Sequence, residues 1–152
     1  MIEKKILIVD DEEGIRRVLC GLLKKEGYQV IEAEDGEAGV ELAKKEDPDV
    51  ILMDLTMPRM GGLEACRLLK EDEKTKNIPV LVVTALGGES KMEAIDAGVD
   101  DFVSKPFDVE EVSIRVKSML KIKKLTDELE RVLAYVNDID KQRKDKIQDK
   151  IV

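Results

Sequence analysis

Five short apolar runs alternate along this chain with five stretches whose apolar residues recur every three or four positions. No other feature constrains the fold as strongly. Right-handed crossovers between parallel strands place the connecting helices above and below one sheet, so the alternation predicts a parallel α/β sheet wound on both faces. The strand candidates are Ile6 to Val9, Tyr28 to Ala33, Val50 to Met53, a run opening at Pro79 where a proline is tolerated, and a short segment near Asp101 to Val103. The Val-Ile-Leu-Met run at 50–53 reads as buried on both faces. An aspartate is costly in a buried strand, so Asp54 is expected at that strand's exposed C-terminal end.

The helical stretches follow the same logic. Ile15, Val18, Leu19, Leu22 and Leu23 make residues 12–26 an amphipathic helix closed by Gly27 just past its end. A second helix runs from Gly36 through Ala38, Val40, Leu42 and Ala43 and stops before Asp47-Pro48, because the residue preceding a proline disfavours helix. Leu63, Cys66, Leu68 and Leu69 mark a third, Met92, Ala94, Ile95 and Ala97 a fourth, and a fifth begins near Asp108.

Composition bounds the function. At 152 residues and 43% hydrophobic the chain is one domain plus one extra element, with no room for a second catalytic domain. The net charge of -8 argues against a nucleic-acid surface. The acidity is concentrated early, with 15 basic against 24 acidic residues in 1–107 and 11 against 10 in 108–152. The apolar run after Met1 is too short for a signal peptide or a membrane span, so the expected location is cytoplasmic. Cys20 and Cys66 lack CxxC spacing, and the chain has no histidine, so both read as free, buried thiols and not zinc ligands.

In an open parallel sheet, functional groups collect beyond the C-terminal ends of the strands. Those ends here are Asp10 and Asp11, Asp54, Thr84 and Lys105, which fall on one rim. Three clustered carboxylates need a cation, and oxygen ligands favour a hard ion such as Mg²⁺. With an added ammonium and hydroxyl the set suits phosphoryl transfer onto a carboxylate. Singly, each residue has a plainer reading: an aspartate as a helix cap, Thr84 as a strand residue, Phe102 as core, Lys105 as a solvated cation.

The run Ile6-Leu-Ile-Val-Asp-Asp-Glu, the Met-Asp54-Leu-Thr-Met-Pro-Arg-Met-Gly-Gly stretch, Val-Val-Thr84-Ala and Lys105-Pro106 together resemble the receiver domain of bacterial two-component response regulators over about residues 4–120. The resemblance implies a flavodoxin-like (βα)5 doubly wound sheet of strand order 2-1-3-4-5. It implies that Asp54 is the phospho-acceptor, and that Asp11 holds Mg²⁺ directly and Asp10 largely through water. The backbone carbonyl of Thr56 becomes a further ligand. Lys105 matches the phosphoryl-contacting lysine, with a cis bond to Pro106, Thr84 the switch hydroxyl and Phe102 the switch aromatic. Thr56 and Leu86 occupy positions that tune phosphate lifetime. The resemblance further implies a sensor histidine kinase or a histidine phosphotransfer protein as donor, and that donor histidine must come from another protein, since this chain has none.

The last helix outruns a receiver. Ile122, Leu125, Leu129, Val132, Val136 and Ile139 are spaced 3, 4, 3, 4, 3, a coiled-coil seam that fades at Arg143, Lys146 and Lys150. The chain therefore divides into a receiver at 1–120 and a coiled-coil-like helical extension at 121–152. The seam either folds back on its own domain or joins a parallel homodimer. No output domain follows in the sequence, so the chain reads as a stand-alone regulator or a truncated one. Two other functions compete with the switch: a constitutive dimerisation module with an incidental acceptor site, and a haloacid-dehalogenase-like phosphatase. The latter needs a carboxylate two residues after its nucleophile, where Thr56 stands.

Overall fold

The computed structural model describes residues 3–57, 59–85 and 88–151. Strands β1 (Lys5–Val9), β2 (Gln29–Ala33), β3 (Val50–Met53), β4 (Val80–Thr84) and β5 (Asp101–Ser104) alternate with helices α1 (Glu13–Lys25), α2 (Gly36–Glu46), α3 (Gly62–Glu71), α4 (Gly88–Asp96) and α5 (Val109–Ile151). The sheet is parallel throughout, in the order β2-β1-β3-β4-β5. Because the order reverses between β1 and β3, their C-terminal ends flank the crevice where such sheets place their function.

Strand alternation sorts the core into two layers. Leu7, Val9, Ile51, Met53, Val80 and Val82 pack against Val40 and Ala43 of α2 and Ala65, Cys66 and Leu69 of α3. On the other face Ile6, Ile8, Leu52, Leu81 and Val83 meet Leu19 and Leu23 of α1 and Val112, Val116 and Met119 of α5. Each fully buried aliphatic side chain contributes about 1.5–3 kcal/mol. Both cysteines are free and buried, as their surroundings in sequence suggested.

Several boundaries differ from the sequence reading. Helix α1 starts at Glu13, with Glu12 as an extended N-cap whose side chain makes no cap bond. Gly27, at φ 92°, closes it in a Schellman turn: its N–H donates to the carbonyl of Lys24 and that of Tyr28 to Leu23. Tyr28 thus belongs to the turn and not to β2, and Pro79 precedes β4. Of the apolar residues assigned to the helical faces, Val18, Leu68, Met92 and Ile95 point to solvent. Helix α4 buries the small Ala94 instead, with Ala97 just past its end.

Helix α5 runs unbroken for 43 residues. Its first three turns seal the sheet through Val112, Val116 and Met119, and past Leu120 none of its described residues is buried. The seam residues Ile122 to Ile139 are between 41% and 64% exposed, so in the single chain the seam does not fold back on the domain. Among the described residues, the Asn77 side-chain amide reaches this extension by donating to the Glu130 carboxylate. Among the described residues no helix is long and apolar enough to cross a membrane.

Candidate functional site

The sheet itself fixes the rim. As each strand ends, its last peptide keeps one bond to a neighbour: Asp10 N–H donates to Ala33 O at 3.2 Å, Asp54 N–H to Val9 O at 2.9 Å and Lys105 N–H to Thr84 O at 3.0 Å. The side chains of Asp10, Asp54 and Lys105 therefore leave the backbone from positions set by the ladder. They meet. Lys105 Nζ donates to Asp10 Oδ2 at 2.8 Å and to Asp54 Oδ2 at 3.4 Å, and lies 3.9 Å from Glu12 Oε1.

The remaining carboxylate oxygens are satisfied locally. Asp10 Oδ1 accepts from Glu12 N–H at 2.9 Å, and Asp54 Oδ1 from Thr56 N–H at 3.2 Å. Asp10 thus anchors the turn before α1 and does not serve as its cap. A cleft of about 430 Å³ opens above, lined by Asp11, Glu12, Asp54, Thr56, Thr84, Ala85 and Lys105. The Lys105–Pro106 bond is cis.

Asp54 departs from the expectation of an exposed strand end, because it is only 4% exposed. Loops after β1, β4 and β5 rise around it, and its carboxylate faces the cleft and not bulk water. A buried carboxylate persists where cations and N–H donors surround it, and Lys105 and Thr56 N–H supply both. Burial by itself would pull the Lys105 ammonium down, but Asp10, Asp54 and Glu12 outweigh it and hold its pKa above the usual lysine value.

The loop after Asp54 is pinned tightly. Gly62 N–H donates to Leu55 O at 3.1 Å, and Gly36 N–H to Met60 O at 3.1 Å. Arg59 adopts φ 65° and donates to Asp35 Oδ2 at 3.3 Å, while Asp35 Oδ1 caps α2. A β-carbon at Gly62 would stand 2.0 Å from the Asp54 carbonyl oxygen, so only glycine lets α3 start this close to the acceptor strand.

Carboxylate oxygens of Asp10, Asp11 and Glu12 lie within 4.8 Å of one another. An all-oxygen donor set with excess negative charge suits a hard divalent cation, and a single lysine leaves that excess unbalanced. The residues therefore fit Mg²⁺. Glu12 was not among the residues singled out from the sequence; its place beside Asp11 in the Asp-Asp-Glu run was the available signal.

Phe102 does not line the cleft. It is half-buried against the layer of α2 and α3, with Lys91 Nζ 5.9 Å from its ring centre. Leu86 lies outside the described residues.

Comparison with known proteins agrees with this architecture. The family model described as the response regulator receiver domain matches residues 6–117. The chain is 43% identical over 118 residues to the DNA-binding dual master transcriptional regulator RpaA of Synechocystis, covering 77% of this chain and 49% of RpaA. It is 40% identical over 126 residues to the response regulator PleD of Caulobacter vibrioides, covering 82% of this chain and 28% of PleD. It thus spans half or less of those two relatives. Among solved structures, chemotaxis protein CheY4 of Vibrio cholerae superimposes with a TM-score of 0.74 at 32% identity, covering 78% of this chain and all of that one. A CheY-like receiver from Methanospirillum hungatei gives 0.77 at 25% identity, over 82% and 99% of the two chains. The chain belongs to the response regulator receiver domains of two-component signalling.

Proposed function

We propose that this chain accepts a phosphoryl group on Asp54 from a phosphohistidine donor, a sensor histidine kinase or a histidine phosphotransfer protein, in the cytoplasm. The observation that carries the reading is the convergence of Asp54, Lys105, Thr84 and the Asp10–Glu12 cluster on one cleft at the switch point of the sheet. An Asp54 oxygen attacks phosphorus, the phosphorus–nitrogen bond to the donor imidazole breaks, and that nitrogen keeps the electron pair and takes a proton. The residues that would hold Mg²⁺ are Asp11, Asp54, the Thr56 backbone carbonyl and, largely through water, Asp10. When bound, Mg²⁺ supplies positive charge that neutralises the phosphoryl oxygens.

Lys105 provides the second cation. Already bonded to Asp54 Oδ2, it needs little movement to contact an incoming phosphoryl oxygen, so its stabilisation is preorganised. Thr84 stands across the cleft with a hydroxyl able to donate to the phosphorylated form. Thr84 and Phe102 stand on the directly paired strands β4 and β5, so a shift of Thr84 toward Asp54 can couple the rim through Phe102 to the face of α4, β5 and α5. The chain then functions as a phospho-acceptor switch and not as an enzyme acting on external substrates.

The exposed seam of α5 supports a homodimer through residues 121–152, with residues 1–120 as the receiver unit. The same seam also supports a second reading, a constitutive dimer whose acceptor site does not control assembly. Incubation with Mg²⁺ and acetyl phosphate tests the acceptor: one phosphoryl mass should be gained and should vanish with Asp54→Asn. No gain, or a gain that survives the substitution, sinks the proposal. Sedimentation of phosphorylated and unphosphorylated chain then separates a switched dimer from a constitutive one.

A further inference from the structure

Of the rim carboxylates, Asp10 and Asp54 are each held by Lys105 and by a backbone N–H. Asp11 differs. It is exposed and lines the cleft, and among the described residues no hydrogen bond or ion pair holds its carboxylate. Its direction therefore depends on its own backbone, and above all on the plane of the Asp10–Asp11 peptide.

One side chain grips that peptide. Arg16 Nη1 donates to the backbone oxygen of Asp10 at 2.7 Å. The same guanidinium places Nε 3.4 Å from Oε1 of Glu32, near the C-terminal end of β2, and Nη2 3.7 Å from Oε1 of Glu34, just past that end. The Arg16 side chain is 11% exposed. It also sits in the first turn of α1, where a cation opposes the helix dipole, so helix stability does not explain its presence. A planar fork with several fixed donors can bridge a carbonyl and two carboxylates at once, whereas a lysine ammonium on a flexible stem cannot hold the same geometry.

We propose that Arg16 is a positioning residue for cation binding at the rim: by tying the Asp10–Asp11 peptide to the end of β2 it sets the direction in which Asp11 presents its carboxylate. This rests on the receiver reading of the cleft. Groups behind a metal ligand commonly change affinity without touching the metal. The signature is a shift in Mg²⁺ affinity separated from the maximal rate of phosphoryl uptake.

The test uses the full chain in native, Arg16→Lys, Arg16→Gln and Arg17→Gln forms. Arg17 is the control, being exposed and paired to Glu13 alone among the described residues. Mg²⁺ affinity is measured by calorimetric titration, and phosphoryl uptake from acetyl phosphate is followed across Mg²⁺ concentration. Arg16→Lys is expected to weaken Mg²⁺ binding about tenfold, the lower end for such supporting groups. Its uptake rate should return to near the native value at saturating Mg²⁺, Arg16→Gln should bind no better than Arg16→Lys, and Arg17→Gln should match native. Superimposable affinity curves for native and Arg16→Lys would overturn the proposal, as would a lowered maximal rate with unchanged Mg²⁺ affinity. If circular dichroism shows the Arg16 variants unfolded, the double variant Glu32→Gln with Glu34→Gln leaves Arg16 in place but releases its fork. That variant should also weaken Mg²⁺ binding, and native affinity in it refutes the tether. A native chain that neither binds Mg²⁺ nor gains a phosphoryl group defeats the receiver reading and this inference with it. Normal native behaviour matched by Arg16→Lys defeats this inference alone.

Discussion

Replacing Gly62 by alanine puts a methyl group into backbone that has nowhere to go. The new β-carbon would lie 2.0 Å from the Asp54 carbonyl oxygen, 2.7 Å from Leu55 Cα and 2.8 Å from the Asp54 carbonyl carbon. A carbon and an oxygen rest in contact at about 3.3 Å, so the two chains must part by more than about 1 Å. Neither side yields easily, because Asp54 N–H is bonded to Val9 O at 2.9 Å and Gly62 N–H to Leu55 O at 3.1 Å. Overpacking of this kind costs about 1–3 kcal/mol. A misplacement near 1 Å at a reacting group costs about 100-fold in rate. Gly61 is the internal control, since a β-carbon there meets nothing nearer than Leu55 O at 3.6 Å. Gly61→Ala should lose no more than about 1 kcal/mol, from the poorer helix cap. Urea denaturation followed by circular dichroism measures the first quantity, and phosphoryl uptake at saturating Mg²⁺ the second. If Gly62→Ala matches Gly61→Ala in both, the close approach of α3 to the acceptor strand does not govern the site.

Three further outcomes are expected. Lys105→Met leaves Asp10 and Asp54 facing each other without their shared cation, and should lower stability in chelator by about 3 kcal/mol. Added Mg²⁺ should narrow that gap, and an equal loss with and without Mg²⁺ in urea titrations would contradict the electrostatics. Leu129→Lys with Val136→Lys places charges on the exposed seam and should give a monomer by sedimentation while phosphoryl uptake stays native. A dimer surviving both charges means that another surface holds it. Burial pushes the Cys66 thiol from its ordinary 9.0 up to about 12. The folded state therefore holds that proton more tightly than the unfolded chain, a contribution complete below pH 9.0 and lost as pH rises toward about 12. The stability difference between native and Cys66→Ala should shrink over that window; a difference that grows there refutes the sign.

The architecture was legible because its signals are local. The runs ending at Val9 and Met53 are closed by aspartates and the one ending at Val83 opens after a proline and closes at Thr84, and the strands they form lie wholly or almost wholly inside. Helix α4 was harder to read, since hydropathy favours Met92 and Ile95, whereas close packing at that position selects Ala94. The burial of Asp54 could not be read from its own neighbours in sequence, because the loops that enclose it come from three other strands. Glu12 and Arg16 escaped notice for the same reason. One looks like a helix start and the other like a polar-face residue until β2 and Lys105 are brought alongside. Phe102 was placed by motif, and its half-buried position against one helix layer under Lys91 is a matter of tertiary packing.

Helix α5 begins four residues after Lys105 and continues without a break to Ile151. Some thirty of its residues project past the sheet, a rod of about 45 Å at the rise of an α-helix. Such a rod is a lever whose short arm lies against the sheet. A tilt of about 5° where Val112 and Val116 rest, about 55 Å from the far end, would sweep the tip sideways through about 5 Å, half the distance of about 10 Å between two packed helices. The core itself need hardly move, because the length of the arm converts a displacement too small to repack a close-packed interior into one large enough to open or close a seam against a second helix.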